Sequence, residues 1–232
     1  MTQQSSQLES NGAKGLLREV LLRPWLLIGL GIAVLALFTF AWLAKEMREG
    51  DTQRLDTAAR SWVHQFASPS VTRAMTAISM LGYGVLLIGL VLAIVIFLML
   101  KWKRAVIWLA LTMAGALALE LALKHAFHRL RPEPFFGPSP TSFSFPSGHA
   151  LSSFCFYFVL AGLITARIQS LALRVFVWML AAVVVAAVGL SRIYLGVHYP
   201  SDVIAGYLAA AMWVGTVLAL DHLRQATKGE PS

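Results

Sequence analysis

Charge is what this sequence has least of. Only 13% of its residues are Asp, Glu, Lys or Arg, against 58% hydrophobic ones, and the mean hydropathy is +0.70. Soluble domains carry about a quarter charged residues and about 45–50% apolar ones, so a soluble domain, a disordered chain and a coiled coil are excluded together. There is one cysteine, Cys155, inside an apolar run, which rules out an intrachain disulfide and a cysteine-based zinc site. Acidic residues are scarce as well: 11 Asp and Glu against 19 Lys and Arg leave a formal net charge of +8. In a soluble protein that excess would suggest nucleic acid. In so apolar a chain it points away from nucleic acid, toward anionic lipid head groups or an anionic substrate. No internal repeat and no Gly-rich phosphate loop is present.

Long apolar runs, by contrast, are abundant. A spanning helix needs about 20 apolar residues, because a rise of about 1.5 Å per residue must cross about 30 Å of hydrocarbon. Six runs qualify: 25–44, 74–100, 105–123, 150–166, 175–190 and 203–220, the shortest gaining length from their flanks. Together they hold half the chain and a single charge, Glu120. The first run is longer than a signal-peptide core and lacks a small-x-small cleavage site, so it is read as a span. The fold class expected is all-α: a polytopic membrane helical bundle of six transmembrane helices with a short interfacial helix. The organisation expected is a polar tail over 1–24, one six-span domain over 25–220 and a polar tail over 221–232.

The link Lys101-Trp102-Lys103-Arg104 makes the second and third spans antiparallel neighbours, and its positive charges mark it as cytoplasmic. Both termini are then inside, and loops 45–73, 124–149 and 191–202 share the outer face. Lys and Arg divide 10 inside to 9 outside, and 10 to 6 once Lys124, Arg131 and Arg192 are set aside as site residues. In the outer loop 45–73, Leu55, Ala59, Trp62, Val63 and Phe66 recur at helical spacing, predicting a helix in the interface. A membrane-surface anchor accounts for it better than a substrate lid. Trp25, Trp62, Trp102 and Tyr199 fit an aromatic belt.

Polar residues beside spanning helices are costly, and each demands a partner. Three clusters stand out on the outer face. Lys124 and Arg131 are seven apart, two turns if the third span continues to Pro132, and would project to one side; two such cations clamp a phosphate or simply snorkel to head groups. Pro146-Ser147-Gly148-His149 precedes the fourth span, with Ser147 as N-cap, Gly148 exposing backbone N–H groups to an anion, and His149 placed as a proton donor or merely at the surface. Ser191-Arg192, His198 and Asp202 bridge the last two spans. Pro200 suits a first helical turn, from which Asp202 reaches back to His198 and frees the other ring nitrogen for attack.

Together these groups suit phosphoryl transfer, which needs positioned cations and N–H donors around a spreading negative charge. Lys124, Arg131 and Arg192 supply the cations; His198 would attack phosphorus and His149 protonate the departing oxygen. No carboxylate cluster is available for a metal on this face, so neither metal nor cofactor is expected. Glu120, one turn below Lys124, is read as a supporting ion pair. His125, His128 and Arg129 are read as interfacial side chains, and His64 and His222 are given no role.

Lys124-x6-Arg131-Pro132, Pro146-Ser147-Gly148-His149 and Ser191-Arg192-x5-His198-x3-Asp202 resemble the three-part signature of the type-2 phosphatidic acid phosphatase family, the membrane lipid phosphate phosphatases. Eleven positions match without departure. The resemblance implies that Lys124, Arg131 and Arg192 bind phosphate with Ser147 and Gly148, that His149 is the acid and that His198 is the nucleophile oriented by Asp202. It implies a bacterial inner-membrane enzyme with its site facing the periplasm, acting on lipid phosphates or diphosphates. Undecaprenyl diphosphate is the first choice; phosphatidylglycerol phosphate, phosphatidate and lipid A, the last also by phosphotransfer, are alternatives. The expected partners are this substrate and membrane lipids. An anion or lipid transporter is the non-enzymatic alternative, disfavoured because the charges sit at one face and no Gly- or Pro-broken pair of spans is apparent.

Overall fold

The structure, a computed structural model, describes residues 24–138 and 140–228. Residues 1–23 of the expected N-terminal tail and 229–232 of the C-terminal one lie outside the described residues, as does the side chain of Trp25. The described residues form eight helices and no strand: α1 Pro24–Glu49, α2 Gln53–His64, α3 Pro69–Met80, α4 Gly84–Met99, α5 Lys103–Phe127, α6 Gly148–Thr165, α7 Leu171–Tyr194 and α8 Pro200–Lys228. Six stretches are long and apolar enough to cross a membrane, α3 and α4 counting as one. Large apolar side chains such as Leu35, Phe38, Leu92 and Phe176 cover the outside of the bundle, as a lipid solvent requires. The chain is therefore a multi-pass membrane protein.

Three boundaries differ from the sequence reading. The run 74–100 is not one rod: the helix breaks at 81–83, where the Leu81 carbonyl accepts the Tyr157 hydroxyl at 2.9 Å. At Gly82 a Cβ would lie 2.6 Å from Val188 Cγ1 and 3.0 Å from His149 Cδ2, so only glycine lets this turn approach His149. One span, though no pair of them, is thus interrupted. The third span stops at Phe127, short of Pro132, because His128 adopts a left-handed cap (φ 49°) and donates to the Lys124 carbonyl at 3.1 Å. The last helix runs past 220, to Lys228.

α6 is the most enclosed span, half of it buried, packed among α5, α7 and α8. Its close approach to α8 depends on small residues. Ala205, Gly206, Ala209 and Ala210 line that face of α8, and a Cβ on Gly206 would fall 2.6 Å from the Ser147 carbonyl. Lacking a hydrophobic drive between them, membrane helices gain contact through such small residues. The consequence is functional: the start of α6 is pressed against the start of α8, and the Ser147 amide donates to the Asp202 carbonyl at 2.9 Å.

α2 sits against the same end of the bundle. Leu55, Trp62 and Phe66 point outward, 74%, 61% and 59% exposed, as an interfacial anchor needs. Its opposite side carries Asp56 and Arg60, both buried against the loops that hold the motif residues. α2 is therefore more than a surface anchor.

Candidate active site

The turn between α3 and α4 and the loops after α5 and α7 meet at one end of the bundle and enclose a cavity of about 670 Å³. Lys124, Arg131, His149, Arg192 and His198 line its polar end. Below them it continues as a groove between α4 and α5, past Leu86, Leu90 and Ile94 on one wall and Leu117, Met113 and Ala110 on the other. Residues some eighty positions apart thus share one chamber, polar at the loop end and apolar at membrane depth.

Local structure sets each polar group. His198 is 1% exposed, in the short link between α7 and α8. Its Nδ1 lies 3.4 Å from Asp202 Oδ2, four residues on in the first turn of α8, which starts at Pro200 as expected. Its Nε2 lies 2.9 Å from Arg131 Nη1. A guanidinium only donates, so Nε2 is the acceptor and Nδ1 carries the proton. Burial, reinforced by Arg131 and Arg192 and opposed by Asp202, pushes His198 down to about 4. Its ring is neutral at physiological pH, with its lone pair on the cavity side.

Arg131 reaches the cavity from an extended segment, not from the helical face the sequence suggested. That segment runs beside 142–144: Ser144 N donates to Arg129 O at 2.9 Å, and Arg131 Nε donates to Ser142 O at 2.7 Å. Burial pulls the Arg131 guanidinium below its usual pKa. Arg192, in the last turn of α7, donates to Ser79 Oγ of α3 at 2.5 Å, and its Nε is buried without a partner. Lys124 Nζ pairs with Glu120 Oε1 at 2.6 Å, one turn along α5, as the sequence predicts. His149 stands in the first turn of α6, its ring stacked 5.8 Å from that of Tyr83 at the mouth.

Two motif residues behave differently from expectation. Ser147 begins α6 but its side chain makes no capping bond; its Oγ is buried and unpartnered, and its amide is already used by Asp202. The first intrahelical bond runs from Leu151 N to Ser147 O, so the donors left for an anion are the amides of Gly148, His149 and Ala150. Gly148 is required for a reason the sequence did not show. Any Cβ there would collide with the Glu120 carboxylate, which fills the space the glycine leaves. Ser191 stays inside its helix, donating to Val188 O at 2.6 Å, and does not reach the cavity. Pro132 and Pro146 are buried and shape the loops.

Behind His198 lie residues the sequence reading passed over. Arg129, read as an interfacial side chain, is only 9% exposed and bridges Asp202 Oδ1 at 2.7 Å and Asp56 Oδ2 at 2.8 Å. Its guanidinium lies 4.2 Å over the ring of the half-buried Tyr199. Arg60 Nη2 donates to the carbonyls of Glu133 and Gly196, at 2.7 and 3.1 Å. His64 stacks on Phe135 at 3.9 Å, four residues after Arg131. Nothing in the spacing of α2 marked these contacts; Asp56 and Arg60 simply occupied its polar face. Among the described residues, no group of three or more His, Cys, Asp or Glu is placed to hold a metal ion.

These features can be set beside known proteins. A family model described as the PAP2 superfamily matches residues 105–225. The chain is 31% identical over 174 residues to phosphatidylglycerophosphatase B of Bacillus subtilis, covering 72% of this chain and 84% of that one. It is 33% identical over 120 residues to undecaprenyl-diphosphatase of Sulfolobus acidocaldarius, covering 49% of this chain and 53% of the relative. Among solved structures it is similar to the transmembrane PAP2 type phosphatidylglycerolphosphate phosphatase from Bacillus subtilis, with a TM-score of 0.73, 30% identity, and 82% and 95% of the two chains covered.

Proposed function

The chain belongs to the PAP2 superfamily and is a membrane lipid phosphatase, and from that premise we propose that it hydrolyses phosphatidylglycerol phosphate through a phosphohistidine on His198, without a metal. The observation that carries the reading is the double engagement of one imidazole, Nδ1 toward Asp202 and Nε2 toward Arg131 in the cavity.

The phosphate enters the polar end, where Lys124, Arg131, Arg192 and the amides at the start of α6 share its charge. Nε2 of His198 forms a bond to phosphorus while the phosphorus–oxygen bond to the lipid breaks. His149 gives its proton to the departing oxygen, releasing the lipid alcohol. Asp202 stabilises the positive charge that forms on the His198 ring. A water then gives a proton to His149 and attacks phosphorus. The phosphorus–nitrogen bond breaks, inorganic phosphate leaves, and both rings return to their starting states. The donor set of the polar end, three cations and two imidazoles, fits an anion without a bridging metal.

Two observations support a phosphomonoester over the diphosphate favoured by sequence alone. The Bacillus subtilis relative, matched over 72% of this chain, is named a phosphatidylglycerophosphatase. Glu120 also lines the cavity on the tail side of Lys124, where its carboxylate can accept from a glycerol hydroxyl next to the terminal phosphate. Undecaprenyl diphosphate is the second reading, favoured by the Sulfolobus relative. The reading places the site on the periplasmic face of a bacterial inner membrane, with both termini cytoplasmic.

The test uses purified protein in vesicles with excess EDTA, offered phosphatidylglycerol phosphate, undecaprenyl diphosphate, phosphatidate and lipid A at matched surface density. Phosphate release fastest from phosphatidylglycerol phosphate, and abolished in His198→Ala, is expected. Activity that requires added magnesium, or survives in His198→Ala, overturns the mechanism; a faster rate on the diphosphate overturns the substrate.

A further inference from the structure

The network behind His198 is built from charges that are expensive to bury. Asp56 is 2% exposed, the Asp202 side chain 0% and the Arg129 side chain 9%. Each buried ion costs several kcal/mol unless it is paired and its remaining hydrogen-bonding positions are filled. Here they are filled. Arg129 Nη1 donates to Asp202 Oδ1 and to Ser201 Oγ, both at 2.7 Å, while Nη2 donates to Asp56 Oδ2 at 2.8 Å. Asp56 further accepts the Ser201 amide at 2.9 Å and the Ser201 hydroxyl at 2.6 Å.

Two consequences follow for the imidazole. Arg129 takes one oxygen of Asp202, which turns the other, Oδ2, toward the Tyr199 amide at 2.9 Å and His198 Nδ1 at 3.4 Å. The rotation of that carboxylate, and with it the direction of the His198 ring, is therefore set from the side away from the cavity. Asp56 acts from a different helix. By accepting the amide of Ser201 it supplies α8 with an N-cap in trans, at the end where the helix dipole favours a negative charge. The turn that carries Asp202 is thereby fastened to α2.

We propose that Asp56 and Arg129 are positioning residues for the phosphoryl-transfer step, acting through Asp202 to hold Nε2 of His198 in line with phosphorus. Neither lines the cavity, so neither binds the phosphate. The proposal rests on the assignment of His198 as nucleophile. It gives α2 a definite part in the chemistry: the interfacial helix is the strut against which the attacking ring is aimed.

The experiment compares Arg129→Gln, Arg129→Lys and Asp56→Asn in the full chain, in vesicles, with His198→Ala as reference. Steady-state rates, single-turnover formation of phosphohistidine and inhibition by inorganic phosphate are measured for each. Partners that orient a metal-ligating imidazole are worth about 10- to 100-fold, and the same scale is expected for those that orient an attacking one. Arg129→Gln should therefore lower kcat and the rate of phosphohistidine formation by that factor, while KM and the Ki of inorganic phosphate stay at wild-type values. Arg129→Lys should recover part of the loss, since an ammonium keeps the charge but cannot span both carboxylates. The double variant Asp56→Asn, Arg129→Gln should be no slower than Arg129→Gln alone, because both act through one carboxylate. Where Arg129→Gln does not yield folded protein, the isosteric Asp56→Asn carries the same test. A wild-type kcat in Asp56→Asn or Arg129→Gln overturns the proposal, as does a raised KM at unchanged kcat. An active His198→Ala would instead overturn the mechanism on which it rests.

Discussion

Nη1 of Arg131 lies 2.9 Å from Nε2 of His198, so a cation sits on the nitrogen assigned to attack phosphorus. The same guanidinium donates to Val197 O at 2.9 Å, to Ser142 O at 2.7 Å and to Ser142 Oγ at 2.9 Å. Arg131 thus selects the tautomer of His198 while the site is free, then has a phosphate to turn to. The planar fork matters, because an ammonium cannot hold the loop and the anion at once.

Arg131→Lys is therefore expected to keep the fold but weaken inorganic phosphate by about tenfold or more, the loss of one charge-assisted hydrogen bond. Calorimetric titration checks this, and unchanged affinity would show that Arg131 serves the loop alone.

The pH behaviour has a definite sign. In the unfolded chain His198 takes a proton below about 6.5, whereas burial holds it down to about 4 in the fold. Between those values the unfolded state binds more protons, so stability rises with pH and is lost as pH falls from about 6.5 toward 4. Fully expressed, the difference is about 3 kcal/mol. The melting temperature of the wild type should drop more steeply over that window than that of His198→Gln. Single-turnover phosphohistidine formation should show no His198 limb above about pH 5; a limb near 6.5 would mean the ring is not desolvated as described.

Gly148 and Glu120 share one volume, since a side chain at 148 would occupy the place of the carboxylate. Gly148→Ala should break the Glu120–Lys124 pair and cost about 1–3 kcal/mol in stability, with a fall in kcat/KM. Adding Glu120→Ala should return most of the stability, because the clash disappears with the carboxylate. Thermal melts of the two variants decide it: no recovery in the double variant would place the clash elsewhere.

How much of this was legible in the sequence follows from the physics of each feature. The six spans were plain, because lipid enforces about 20 apolar residues wherever a helix crosses. The motif residues were plain too, being polar where polarity is costly. The break at Gly82 was hidden: its cause is the tertiary approach of Val188 and His149, and both flanks are as apolar as an unbroken rod. Arg131 leaves the helix because of His128, whose left-handed cap has no signal in a basic, polar stretch. Asp56 was hidden most completely. On a surface helix a carboxylate opposite an apolar stripe reads as solvated, and only the membrane, by taking the apolar face outward, turns the polar face in.

The orientation can be tested directly. Glu133 is exposed in the loop 124–149 assigned to the outer face, and the native Cys155 is buried. Glu133→Cys should react with an impermeant thiol reagent in intact cells, while the wild type stays silent. Labelling only after lysis would invert the topology and place the site in the cytoplasm.

The groove below the site makes the last prediction. Its walls follow α4 from Leu86 to Ile94 and α5 from Lys124 down to Ala110, about 12 and 21 Å at 1.5 Å per residue. Leu87 and Leu117, both lining it, are 47% and 57% exposed, so the groove opens sideways to lipid. A lipid tail can enter there without leaving the bilayer, and its burial adds about 0.8 kcal/mol per methylene. Ala114 lines this groove one turn before Ala110 and six residues from Glu120, the nearest charged residue on α5. Ala114→Trp should then lower kcat/KM for a long-chain lipid phosphate by at least tenfold, while a short-chain, water-soluble phosphate ester is hydrolysed at the wild-type rate. Equal losses on both would show that the substitution disturbs the phosphate end, and no loss on either would mean that the tail lies elsewhere.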